Sequence, residues 1–288
     1  MGHSLAEWLI LREPFDVAAR SERLARVVSN ALTGDRPVRI VDLGTGRGSN
    51  VRYLTGYLPV PQEWLLLDEN AAVLEQVPRA MTGRLPAPCA IDVRQVRLGA
   101  LDSTMFDERH LVTASALLDL VSESWLGSLA QHCHAVRAAG LFALTYNGES
   151  RCSPPEPEDD EIRELMNRHQ RANDKGFGRA AGPDAVAAAE RSFKAVGYRV
   201  ERAASDWHLP PDAREMQREL VDGWADAASE IAPARSALIS SWLRRRHDHI
   251  DAGRSQIVVC HEDLLATPEN GGLSSRRPSG LPVGRRKP

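Results

Sequence analysis

Apolar residues along this chain switch repeatedly between a helical spacing and short continuous runs. Residues 4–33 repeat at helical spacing, with a break expected near Pro14, which suits the first turn of a second helix. On that second helix Val17, Leu24, Val27 and Ala31 share one face. Arg20 falls on the same face, either snorkelling or facing a buried anion. A short apolar run follows (Val38, Ile40, Val41, Leu43), then a helical pattern through Val51, Leu54 and Leu58. Trp64 to Asp68 is apolar until its last residue, as expected of a strand covered on both faces of a parallel sheet. Residues 90–98, 111–115 and 141–146 read as the third, fourth and fifth strands. Between the last two lies an amphipathic helix through Leu126, Leu129, Cys133 and Val136, capped by Ser122 and ended by Gly140.

The second half keeps the alternation but interrupts it. A polar, proline-rich break at 154–160 opens an insertion whose helix carries Ile162, Met166, His169 and Asn173 on one stripe. That stripe begins apolar and turns polar, as a helix does when its far end lines a site, and it runs into Asp174, Lys175 and a Gly-Phe-Gly turn. Pro183 opens a helix closed by Gly197, and 198–209 reads as a sixth strand with Trp207 near its end. Two helices, about 211–231 and 233–250, then precede an apolar strand at 256–260. Their apolar faces must cover something: a substrate lid, or a dimer partner. Arg244–Arg246, His247 and His249 read as a solvated face, and a polar tail follows from about Thr267.

Composition narrows the possibilities. The 288 residues, 42% hydrophobic and 26% charged, suit one large α/β domain with insertions. A net charge of −3 argues against a broad nucleic-acid footprint. Four scattered cysteines lack metal or disulfide spacing, which suits a reducing cytoplasm, and no stretch approaches a membrane span. No metal site is expected, and the protein is expected to be a monomer or a homodimer.

The candidate chemistry starts at the first strand. Val38–Leu43 contains Asp42 and leads into Gly44-Thr45-Gly46-Arg47-Gly48-Ser49-Asn50 and a helix. Glycines there let backbone approach a ligand, and a helix start offers unpaired N–H groups. A dinucleotide fingerprint wants a third glycine at position 49, where this chain has Ser49. The second strand ends in Asp68-Glu69, and a carboxylate can accept two hydrogen bonds from a vicinal diol.

Gly-x-Gly-x-Gly with an acid two residues before it, followed by the acid-ended second strand, resembles the class I S-adenosylmethionine (SAM) methyltransferases over roughly residues 36–262. The resemblance implies an α/β fold: a Rossmann-like, seven-stranded, mostly parallel sheet with an antiparallel last strand. The expected organisation is an N-terminal helical extension (1–35), a methyltransferase domain (36–266) with helical insertions at about 154–175 and 211–252, and a tail (267–288). It implies SAM as cofactor, near Asp42, Gly44, Thr45, Gly46, Gly48 and Asn50, with Asp68 and Glu69 at the ribose and Ser115 at the fourth strand's end. Arg20 is a candidate for the SAM carboxylate or the substrate, and Asp92 and Asp102 are candidates for the adenine. Asp119, after the fourth strand, and His169 are the candidates for a base or orienting group. Asn173, Asp174 and Trp207 are candidates for binding a small, partly apolar acceptor. The Asn/Asp-Pro-Pro-Tyr/Phe tetrad of amino-methylating DNA enzymes is absent. Two alternatives stay open: an RNA or protein methyltransferase, and a catalytically silent partner protein of the same fold.

Overall fold

The computed structural model describes residues 4–32, 37–172 and 174–269. Eight strands among them form one sheet: β1 (Val38–Leu43), β2 (Gln62–Asp68), β3 (Cys89–Gln95), β4 (Leu111–Ser115), β5 (Ala139–Ser153), β6 (Tyr198–Ala204), β7 (Trp207–Leu209) and β8 (Gln256–Pro268). The order is β3-β2-β1-β4-β5-β8-β6, with β7 also paired to β8. β1 to β5 pair in parallel, and β8 runs antiparallel between β5 and β6. Chain order reverses direction between β1 and β4, which places a ligand crevice at the carboxyl ends of those strands.

The period-two alternation of β1 divides the core. Val41 and Leu43 face a cluster built with α6 (Glu123–Val136) and α8 (Ala185–Ala195), through Leu126, Leu129, Ala189 and Phe193. Val38 and Ile40 face the other cluster, with Leu24 and Val28 of α2 (Glu22–Ala31) and Leu54 of α3 (Ser49–Leu54). β1 and β2 are buried on both faces, which explains their near-continuous apolar sequence. A third cluster lies beyond the strand ends. It joins the far half of β5 and β7 to α1 (Leu5–Ala19), α7 (Asp159–Ala172), α9 (Arg214–Ile231) and α10 (Ser236–Asp251). Two short helices, α4 (Ala71–Leu74) and α5 (Val77–Met81), follow β2.

Several boundaries differ from the sequence expectations, each for a local reason. Pro14 lies inside an unbroken α1, and the break falls at Arg20–Ser21 instead. There Ser21 caps α2, and its backbone N–H donates to the buried Asp263 carboxylate of β8 at 2.7 Å. The helix through Leu126 ends at Val136 because Arg137 takes the left-handed conformation (φ +58°). Gly140 lies instead within β5, where a Cβ would sit 2.7 Å from the Phe142 ring. The expected sixth strand is interrupted at residues 205–206 into β6 and β7. β8 continues past Cys260 to Pro268, so Thr267 and Pro268 are strand residues, and the rest of the expected tail from 270 lies outside the described residues.

Of the basic run on α10 Arg244 is exposed, as expected, but its neighbours are engaged in contacts rather than solvated. Arg246 is fully buried, and its guanidinium donates to both carboxylate oxygens of Asp159 and to the Pro154 carbonyl at 2.6 Å. Trp242 Nε1 donates to the same Asp159 at 2.8 Å. Arg245 pairs with Glu156 and Glu158, and the His249 ring lies 2.7 Å from Glu156. The acidic, proline-rich segment before α7 is therefore the seat on which α10 docks.

Candidate active site

A cavity of about 500 Å³ opens at the carboxyl ends of β1, β2 and β4. Its floor is the glycine turn. Gly46 has φ +53°, its N–H donates to Asp68 Oδ2 at 2.8 Å, and a Cβ there would lie 3.2 Å from Leu9 of α1. The other Asp68 oxygen accepts the Asn70 N–H at 2.9 Å. Two backbone donors thus fix the carboxylate at the end of β2, and it still has lone pairs for a diol. Gly44, Thr45, Asn50, Glu69 and Ser115 also line the cavity.

Behind that floor lies a buried polar network. Asn50 Nδ2 donates to Asp42 Oδ1 at 2.7 Å and to Thr113 Oγ1 at 3.0 Å. Arg20 Nη1 donates to Asn50 Oδ1 at 2.5 Å, and Nη2 donates to Ser115 Oγ at 2.8 Å. Burial pushes the Asp42 carboxyl up to about 6, opposed by the Asn50 amide and the Arg20 charge. Burial likewise lowers the Arg20 guanidinium, against the pull of Asp16, Asp263 and Asp42. Neither Asp42 nor Arg20 lines the cavity; both act on it through Asn50 and Ser115.

The roof comes from three helices. α1 presents one stripe (Leu5, Trp8, Leu9, Arg12, Asp16), α7 presents Met166 and Gln170, and α9 presents Leu220 and Trp224. α10 packs outside α9 and contributes nothing to the lining, so of the two late helices only α9 covers the cavity. Trp207 of β7 lines the wall, donates Nε1 to Asp16 Oδ1 at 3.1 Å, and carries the Arg12 guanidinium 4.9 Å above its ring. Asp16 holds Arg12 in turn through contacts of 3.0–3.2 Å.

Three further polar groups face the same space. Asp119, in a short 3₁₀ turn after β4, is buried, its Oδ1 has no hydrogen-bond partner, and burial pushes its carboxyl up to about 6. Tyr146 of β5 has a buried hydroxyl without a partner. His261 of β8 lies 3.0 Å through Nδ1 from the Val259 carbonyl. A carbonyl only accepts, so Nδ1 carries the proton and Nε2 is left as an acceptor. Burial, reinforced by Arg12, lowers the His261 pKa to about 3, which keeps the ring neutral.

Several expected site residues lie elsewhere. His169 sits 2.8 Å from Glu230 of α9 and does not line the cavity; its neighbour Gln170, on the Ile162–Met166 stripe, does. Asp92 is exposed on the edge strand β3 and pairs with Arg94. Asp102 is exposed and caps the turn at Thr104, with its carboxyl lowered by that backbone N–H. Asp174 accepts the N–H groups of Gly176, Phe177 and Gly178, shaping the turn that brings Lys175 and Phe177 to the cavity. Gly48 does not line the cavity, and its φ of +77° at the start of α3 is what calls for glycine. Asn173 lies outside the described residues.

Arg12, Tyr146, Gln170 and His261 also line the cavity, and none of them is among the site candidates that the sequence offers. His261 carried one usable signal: it shares strand parity with Val259 in an apolar run.

No family model and no curated protein matches the chain. Among solved structures, it is similar to a cyclopropane synthase from Mycobacterium tuberculosis at 9% identity and TM-score 0.45, over 92% of this chain and 99% of that one. It is similar to the YcgJ protein from Bacillus subtilis at 12% identity and TM-score 0.47, over 87% and 100% of the two chains. It is also similar to a phosphoethanolamine N-methyltransferase from Haemonchus contortus at 11% identity and TM-score 0.43, over 92% of this chain and 58% of that one. These are likenesses of overall fold. The strand order, with an antiparallel strand inserted beside β5, stands on the chain's own pairing. The strand order and pairing make a Rossmann-like, mostly parallel sheet.

Proposed function

We propose that the chain is a SAM-dependent methyltransferase whose acceptor is a small molecule held under α1, α7 and α9. One observation carries this reading. A single cavity runs from a glycine turn and a strand-end carboxylate, Asp68, to a buried wall of Asp119, Tyr146, Trp207 and His261. The fit to the cofactor rests on the Asp68 carboxylate, which keeps free lone pairs for a ribose diol, and on the close backbone approach at Gly44 and Gly46. When bound, SAM supplies an electrophilic methyl group. Arg20, clamped to Asn50 and Ser115, stiffens the floor beside the expected methionine end. The roof helices exclude water from the acceptor, and Asp119 and His261 are placed to orient it or take its proton.

The rival readings fit less well. An RNA or protein substrate needs a basic docking face; of the Arg244–Arg246 run only Arg244 is exposed, with Arg245 and Arg246 spent on Glu156, Glu158 and Asp159, and the basic tail lies outside the described residues. A silent partner protein has no need of the intact glycine turn and the polar cavity wall. Incubation with methyl-labelled SAM in a cell extract separates the three. The label is expected in the fraction that passes an ultrafiltration membrane. Label retained on RNA or protein, or no transfer at all, would overturn the small-molecule reading.

A further inference from the structure

The acceptor end of the cavity contains a buried carboxylate that no described residue neutralises. Asp119 makes no ion pair among the described residues, and its Oδ1 is sealed from solvent without a donor. Of the other cavity acids, Glu69 is exposed to water and the two remaining ones have partners. Asp16 takes Arg12 and the Trp207 indole N–H, and Asp68 takes two backbone N–H groups. The two cations whose charge reaches Asp119 form no ion pair with it: Arg12 is clamped by Asp16, and Lys175, which lines the same cavity, is exposed. The same cavity is lined by Trp8, Tyr146, Trp207 and Trp224, and Tyr146 lies close enough to feel the Asp119 charge.

An unpaired buried carboxylate among π-faces has a definite chemical complement. An ammonium group offers several N–H donors and a positive charge that the carboxylate and the ring quadrupoles both attract. A hydroxyl offers one neutral donor, and a carboxylate would be repelled. We propose that the acceptor is a small organic amine, bound as its ammonium by Asp119 within the aromatic wall, and methylated on that nitrogen. This rests on the methyltransferase reading.

The step balances as follows. The ammonium N–H bond breaks and its proton passes to the Asp119 carboxylate, leaving the lone pair on nitrogen. That pair forms the N–CH₃ bond as the S–CH₃ bond breaks, with the S–CH₃ electrons staying on sulfur. The product leaves as an N-methylammonium, and Asp119 returns its proton to water. The burial that makes Asp119 reluctant to ionise suits it to accept that proton. His261 Nε2 is the acceptor available to orient a remaining N–H.

The test is calorimetric titration of the full chain, with and without S-adenosylhomocysteine, using matched probes. These are phenethylamine and tryptamine, their hydroxyl counterparts 2-phenylethanol and tryptophol, and the acid 3-phenylpropionate. Each amine is expected to bind about tenfold or more tightly than its alcohol. Asp119→Asn should abolish that preference while its S-adenosylhomocysteine affinity stays within about threefold of wild type, which also shows that the variant is folded. Alcohols or the acid binding as tightly as the amines would overturn the proposal. So would a preference that survives Asp119→Asn, or failure of both amines to bind. Loss of S-adenosylhomocysteine binding by wild type would sink the methyltransferase reading instead, with the amine preference still read from the titrations without it.

Discussion

Asp119→Asn should make the folded protein more stable at neutral pH. Burial raises the Asp119 carboxyl from 3.8 to about 6. A raised carboxyl pKa means that the folded state favours the protonated form. Its stabilising contribution is full below about pH 3.8 and is lost as pH rises through about 6. At pH 7 the ionised, unpaired carboxylate therefore costs roughly two pK units, about 3 kcal/mol. Asparagine keeps the shape and cannot ionise, so urea unfolding near pH 7.5 should show the variant more stable by about 2–3 kcal/mol. Near pH 4, where the wild-type carboxyl is largely protonated when folded, most of that gain should vanish. Loss of methyl transfer alongside gained stability would mark a charge retained for function. A variant equally stable, or equally destabilised, at both pH values would refute the reasoning, because it would show that no ionisation cost is stored at Asp119.

Two other sites give independent checks. Arg246→Met removes the cation from Asp159, which stays partly exposed and keeps the Trp242 and Glu156 N–H donors, so stability should fall by about 1–3 kcal/mol in urea unfolding; a loss within about 0.5 kcal/mol would restore the solvated-face reading of α10. Gly48→Ala puts a side chain at φ +77°, so it should destabilise by about 1 kcal/mol in urea unfolding, with the flexible Met81 methyl moving aside; no loss of stability would refute this.

What the sequence shows clearly is what neighbours along the chain decide. The β1 run, the glycines after it and the acid at the end of β2 read directly, because strand, turn and helix succeed one another within about thirty residues. In a parallel sheet that order alone sends Gly46 and Asp68 to the same crevice, where they bond to each other. The misreadings concern partners far apart in the chain. His169 looked like a site residue until Glu230, on a different helix, claimed it. Arg246 looked solvated until Asp159 took its guanidinium. For Arg20 the sequence leaves two orientations open, and Asp263, more than two hundred residues away, fixes the helix junction that turns it inward. His261 was passed over because the strand was ended too early, at the polar His-Glu-Asp run. Those polar residues stay in the strand because Asp263 binds the Ser21 and Leu144 N–H groups and Glu262 pairs with Arg202.

The most direct test of the account is calorimetric titration of the full chain with SAM, repeated with Asp68→Ala. Wild type should bind in the micromolar range, about −8 kcal/mol. The variant should lose about 1–3 kcal/mol of that, because the carboxylate held by Gly46 and Asn70 is the proposed ribose acceptor. A folded wild type that does not bind SAM, or an Asp68→Ala variant that binds it undiminished, would contradict the central claim.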